Sequence, residues 1–415
     1  MRLTDEEQAM QAGELGPLRQ WAIAHQVAVG RYLGAADFVP VAQAHIMADT
    51  ESLGVAGVEW LERWTSLPDA QRRVRVPTIT DPRGTDFAAA ARLKHQDWML
   101  ERERRAIAAF EALGVLMTDT CINYQTIMPP VRGEHVAYGD TGVVIYSNSV
   151  CGARSNFEGG PSALGAGLTG RTPRYGFHLD ACRRATLVVR VAATPRELDE
   201  WGALGGIVGR LAGDYWQVPA LVGIDRVPTS DEMKHFGAAL ASYGSVALFH
   251  MVGITPEAQR LEDVVPAGAA VRAHDVGAAD LRAFRQSYAA EVDAVDVVVF
   301  SAPQLSLIEL QQLAGLLDGR RAAIPLLAVT SPQVKPDADR LGLTARIEAA
   351  GGTVLSGMCF YQSYAREMAE ANGWQRLATN SAKLVNIIGG YGYRPVLMSM
   401  PACVAVACAG GRITP

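Results

Sequence analysis

The sequence predicts an α/β protein built on parallel-type sheets flanked by helices. Beyond residue 180, short apolar runs alternate with segments of helical period, the signature of βα units around a parallel sheet. Residues 1–116 read as mostly helical with one strand, and residues 117–180 as a loop-rich stretch of a length that usually carries function. In the first region Thr4 and Glu7 form a capping box that opens a helix. Leu18–Leu33 and Glu51–Trp64 carry apolar residues at helical spacing, and Ala91–Leu113 is the longest predicted helix. Val74–Ile79 reads as an edge strand, because Pro77 has no N–H to give a ladder. In the loop-rich stretch only Val143–Tyr146 resembles a strand.

The third region, residues 181–415, is predicted as strand–helix pairs. Thr186–Val191 precedes Pro195–Leu211, Ala220–Gly223 precedes Ser230–Tyr243, Asp296–Phe300 precedes Ser306–Leu317, and Ile324–Val329 precedes Asp337–Ala350. Chemistry in such sheets gathers in the loops that follow strands, which places Cys359, just after Thr353–Leu355, at a working position. At 415 residues the chain is long enough for two or three packed units. Its apolar runs are too short to span a bilayer, and a net charge of -5 offers no basic footprint for nucleic acid. The expectation is a cytoplasmic protein that engages neither membrane nor nucleic acid. Gly205-Gly-Ile-Val-Gly209 lacks the full dinucleotide fingerprint, so neither nicotinamide nor ATP is implied.

The six cysteines include no C-x-x-C pair, which removes the zinc-ribbon and thioredoxin readings. Distant thiolates can still converge on iron. Four stretches stand out together: Ala44-His-Ile-Met-Ala-Asp-Thr50; Thr120-Cys-Ile-Asn-Tyr124 with Ala137-Tyr-Gly-Asp-Thr141; Tyr146-Ser-Asn-Ser-Val-Cys-Gly-Ala-Arg-Ser-Asn156 running into Glu158-Gly-Gly-Pro-Ser-Ala163; and Thr379-Asn-Ser-Ala-Lys383. The combination resembles the aconitase X family over nearly the whole chain.

That resemblance implies an aconitase-like, multi-subdomain iron–sulfur hydro-lyase. Cys121 and Cys359 look like cluster ligands. Where the phosphomevalonate branch resembles Gly-Cys-Pro-His, this chain has Ser301-Ala-Pro-Gln304, and Ala302 cannot ligate iron. Cys151 stands where that branch is usually apolar, so it is expected as the third ligand. A [2Fe-2S] cluster is the preferred form, with [4Fe-4S] and [3Fe-4S] as alternatives. The exchange favours dehydration of cis-3-hydroxy-L-proline over phosphomevalonate or another small hydroxy acid; a non-catalytic or RNA-binding aconitase-like protein is the reading from another class.

The resemblance also implies a substrate pocket of Ala48, Asp49, Thr50, Asp81, Pro82, Asp140, Thr141, Asn148, Ser149 and Lys383, with Lys383 and Asp140 in catalysis. Lys383, one of only four lysines, can supply the counter-charge for a substrate carboxylate. The α-proton base is expected to be a serine on a small swivelling-domain partner subunit. His45 reads either as a core histidine or as a site residue, and Arg154 either as a carboxylate binder or as a loop tie. Cys182, Cys403 and Cys408 read as packing thiols.

Overall fold

Parallel pairing dominates the computed structural model, which describes residues 1–413 apart from 266, 269 and 289–292. A three-stranded parallel sheet sets Thr78–Thr80, Ala44–Ile46 and Ala137–Tyr138 side by side. A four-stranded one runs His250–Met251, Pro219–Val222, Leu187–Val191, Arg272–Val276. A five-stranded one runs Gly352–Ser356, Leu326–Thr330, Val297–Leu305, Arg376–Thr379, Arg394–Leu397. An antiparallel pair, Phe38–Pro40 with Arg171–Pro173, ties the N-terminal region to the segment near residue 170. The central strand Val297–Leu305 is buried at every position, as expected of a strand covered by helices on both faces. No helix among the described residues is long and apolar enough to cross a membrane.

Most predicted strand–helix pairs are present with shifted ends: Leu198–Ala212, Ser230–Gly244 and Leu307–Leu316 follow their strands. The Thr4–Glu7 capping box is formed. The Gly205–Gly209 run serves packing, since a Cβ at Gly205 would collide with the Phe236 carbonyl of the neighbouring helix.

Elsewhere the structure corrects the expectation. Val143–Tyr146 is not a strand; Thr141–Tyr146 is an α-helix that passes into a π-helix at Ser147–Cys151. Helix Gly160–Thr169 also lies within the supposed loop. Both helices are almost wholly buried, so neither has a polar face to give a 3.6-residue period. The predicted Ala91–Leu113 helix breaks at Lys94, which adopts φ 58, and resumes as Asp97–Ala112. The predicted Asp337–Ala350 helix divides at Gly342 into Lys335–Arg340 and Leu343–Ala349.

Candidate active site

The site is assembled from the C-terminal ends of strands in two of these sheets. In the three-stranded sheet Asp81 follows Thr78–Thr80, Asp49 lies just beyond Ala44–Ile46, and Asp140 follows Ala137–Tyr138. The backbone N–H of Thr120 donates to Thr80 at 3.1 Å, which extends this sheet and delivers Cys121 beside Asp81. In the five-stranded sheet, Cys359 follows Gly352–Ser356 and Lys383 follows Arg376–Thr379. The register of Val297–Leu305 shifts against its neighbour between Phe300 and Leu305, and in that stretch Ser301 Oγ lies 4.0 Å from Cys359 Sγ and the Gln304 N–H 3.5 Å from Cys121 Sγ.

Asp140 caps the helix after it by accepting the Val143 N–H at 2.9 Å, and its other oxygen faces Lys383 Nζ at 3.4 Å. Ser381 caps the Lys383 helix and donates to the Ala302 carbonyl at 2.5 Å. His45 Nε2 sits 2.9 Å from the Thr120 carbonyl and 3.7 Å from Asp81. The Gln362 amide reaches Asp49 at 3.4 Å and Asp81 at 3.3 Å. Thr50 donates to Glu103 at 2.6 Å and shares a 2.8 Å hydrogen bond with Tyr364. The Tyr361 ring lies 5.8 Å from Lys383 Nζ.

All of Asp49, Asp81, Glu103, Cys121, Asp140, Cys359 and Lys383 are buried, so charge placement decides their protonation. Burial pushes Asp81 well above the ordinary carboxylate range, and the neighbouring Asp140 charge adds to it. Burial acts the same way on Asp140, but Lys383 and the Val143 amide outweigh it and hold that carboxyl below its usual value. Lys383 is raised in turn: burial works against its charge, and the Asp140 carboxylate leads the opposing charges that outweigh it. Burial pushes the Cys121 thiol well up and Cys359 up to about 12. Each thiol also feels the charged groups around it: Asp81, Asp140 and Lys383 act on both, and Cys359 acts on Cys121.

Burial raises Asp49 to about 6 and Glu51 and Glu103 to about 7. The native state therefore holds the Glu103 proton more tightly than the unfolded chain does. The stability associated with it is fully present below the unfolded value of 4.5 and is lost as pH rises to about 7. At ~1.4 kcal/mol per unit the loss is about 3 kcal/mol. Asp49 and Glu51 titrate in the same range, so urea unfolding of the parent chain is expected to show a larger total loss between its two ends, and Glu103→Gln to lower that loss by about 3 kcal/mol; an unchanged slope in the variant would assign the dependence elsewhere.

The structure thus brings Cys121, Cys359, Asp81, Asp140, Lys383 and His45 together, with Asp49 and Thr50 joined through Gln362 and Glu103. Pro82 is buried next to Asp81, Thr141 is half-buried at the helix start, and Ala48 is buried in the apolar cluster that also holds Ile46, Leu61 and Phe110. Asn148 and Ser149 turn their polar groups elsewhere. The Asn148 amide donates to Ser155 and Ala247 at 2.8 and 2.9 Å and accepts from Ser155, and Ser149 accepts the Phe249 N–H at 2.9 Å. Arg154 is a loop tie: it pairs with Asp180 and donates to the His178 carbonyl at 3.1 Å.

Cys121 and Cys359, both free, fit as two thiolate ligands of an iron–sulfur cluster, since they are buried together against a lysine that offsets added negative charge. Cys151 does not join them in this arrangement. It closes the π-helix beside Tyr138 and Tyr146, and burial alone shifts its thiol. Among the described residues no group of three or more His, Cys, Asp and Glu side chains is poised around one point.

Sequence reading did not find Gln304, Gln362, Tyr361, Lys234, Glu51 or Glu103. For Lys234 a signal existed, the scarcity of lysine. Its ammonium is completely buried against Asp231 at 3.0 Å and Glu309, and donates to the Gln304 carbonyl at 3.1 Å.

Family models for the three domains of aconitase X match in order: the first domain at residues 1–181, the second at 185–286 and the third at 295–409. The chain belongs to the aconitase X family. It is 31% identical to the crystal structure of Thermococcus kodakaraensis aconitase X in its holo-form, with a TM-score of 0.88 over 98% of this chain and 100% of that one. The phosphomevalonate dehydratase large subunit of Methanothermobacter thermautotrophicus is 35% identical over 92% of this chain and 93% of its own length. The cis-3-hydroxy-L-proline dehydratase of Pseudomonas aeruginosa is 32% identical over 99% of this chain and 70% of its own. With both branches of relatives named dehydratases, this aconitase X chain is an enzyme of the hydro-lyase class.

Proposed function

We propose that this chain dehydrates cis-3-hydroxy-L-proline to Δ1-pyrroline-2-carboxylate, as the large subunit of a two-subunit iron–sulfur enzyme. Identities of 35% and 32% to the two branches do not separate the substrates. The observation that carries the choice is charge. Lys383 faces Asp140 at 3.4 Å and is also acted on by Asp81, and Asp81 and Asp49 share the Gln362 amide, so the site sets one cation beside several carboxyl groups. Such a site suits the ring ammonium and single carboxylate of an amino acid better than a dianionic phosphate. Ala302 in place of a thiol agrees with it.

Cys121 and Cys359 would hold the cluster, which when bound supplies a Lewis acid for the departing hydroxyl, and Cys151, the expected third ligand, stands apart from the pair in this structure. The remaining work belongs to the chain. Lys383 binds the substrate carboxylate and stabilises the negative charge that develops as the α-proton leaves. Asp140 keeps Lys383 charged and placed, and Asp81, Asp49 and Gln362 hold the ring nitrogen side. The relatives named large subunits imply a small partner, and a serine on that partner is the proposed α-proton base. Closure of the partner over the site excludes water before chemistry.

The test is a panel of substrates on the anaerobically purified chain, alone and co-expressed with its small partner. Turnover of cis-3-hydroxy-L-proline by the pair is expected, with none on the trans isomer or phosphomevalonate and none from the isolated chain. Turnover of phosphomevalonate alone would overturn the substrate. Full activity without the partner would place the base in this sequence.

A further inference from the structure

We infer that Gln304 is a positioning residue that fixes the spacing of the Cys121 and Cys359 loops, with Lys234 anchoring it from behind. The inference rests on the reading of those thiols as cluster ligands. Gln304 is completely buried, and its carboxamide has two N–H donors and one carbonyl, all of them engaged. The Nε2 group donates to the Asp119 carbonyl at 3.1 Å, on the Cys121 loop, and to the Met358 carbonyl at 3.2 Å, next to Cys359. Oε1 accepts the Cys121 N–H at 3.3 Å. The backbone N–H of Gln304 points at Cys121 Sγ at 3.5 Å, a donor that favours the thiolate. One amide therefore joins two loops separated by more than two hundred residues of chain.

A strut holds spacing only if its own base is fixed. The Gln304 carbonyl accepts Lys234 Nζ at 3.1 Å, and Lys234 is pinned by Asp231 at 3.0 Å and by Glu309. Glu309 is itself held by His235 at 2.8 Å and by the Ser306 N–H at 2.9 Å. The thiols make their hydrogen bonds with the Gln304 N–H and with Ser301 rather than with Lys234, Asp231, Glu309 or His235, so this ionic cluster acts on them through Gln304. Ala302, two residues before Gln304 in the strand, has only a methyl group and cannot tether either loop.

Metal affinity of the stripped full-length chain tests this. Cd2+ is titrated anaerobically and followed by its thiolate charge-transfer absorption, with Cys121→Ser as the control for the band. Gln304→Leu is expected to weaken Cd2+ binding ~10–100-fold, the usual scale for groups that orient metal ligands. Gln304→Glu keeps the length and the acceptor for Cys121, and should fall between the two. It decides the matter if the leucine variant does not fold. In the reconstituted Gln304→Glu protein the visible circular dichroism of the cluster should shift at full iron content, which a purely structural role would not produce. Affinity within about twofold of the parent in both variants, or in the glutamate variant alone if leucine fails to fold, overturns the inference. A parent chain without a Cys121-dependent band overturns the cluster reading and this inference with it.

Discussion

Cys121→Ser and Cys359→Ser are each expected to abolish both the visible absorption of the anaerobically purified enzyme and its dehydratase activity. In the metal-free chain burial raises both thiols, so each is a neutral SH at neutral pH. A bound cation reverses that preference and takes the sulfurs as thiolates. Serine offers neither the soft donor nor the low enough proton affinity, and a cluster with one of its few ligands missing is not retained. Cys151→Ser carries separate information because Cys151 stands apart from the pair, beside Tyr138 and Tyr146. If it supplies the third ligand, the serine variant should lose iron as the others do. Retention of full iron content by Cys151→Ser would assign the third position to another residue.

Lys383→Met is expected to lower kcat/KM by ~10²–10⁴, since on the proposed reading it removes the cation that would bind the carboxylate and meet the charge of the transition state. It should also destabilise the chain by about 3–5 kcal/mol, because Asp140 is left buried without its partner. The two effects can be separated. Without Lys383 the Asp140 carboxyl loses the charge that holds it below its usual value, so the variant should recover stability as pH falls and Asp140 takes up a proton. The double variant Lys383→Met/Asp140→Asn removes the orphaned charge and should regain most of the stability, while activity stays low. Recovery of activity in the double variant would show that Lys383 acts only as a structural counter-ion.

The α/β core was legible because its strands are buried on both faces and so appear as short unbroken apolar runs, as in Leu187–Val191 and Leu326–Thr330. That signal misled at Val143–Tyr146. A helix enclosed on all sides also shows a continuous apolar run, and length alone did not separate the two. The π-helix at Ser147–Cys151 has no sequence period of its own, although such elements recur at functional sites.

For the site, likeness to a family connected residues as distant as Asp49 and Lys383, which no local pattern could join. What it left out were polar residues whose role lies in burial. Glu103 sits in a Glu-Arg-rich segment that reads as a solvated face, yet its carboxyl is enclosed against Thr50. Gln304 was visible only as part of a departure from a motif. Its function depends on two carbonyls, at Asp119 and Met358, that only the folded chain brings within reach.

The most direct measurement is a titration of the anaerobically reconstituted two-subunit enzyme with cis-3-hydroxy-L-proline, recording the cluster's electron paramagnetic resonance after reduction. A substrate held by Lys383 with its hydroxyl at an open iron position should give a saturable change in the spectrum. Phosphomevalonate should not produce it, and Lys383→Met should require far more substrate to reach it. A cluster spectrum indifferent to cis-3-hydroxy-L-proline while the enzyme turns it over, or an active enzyme with no iron, would contradict the account.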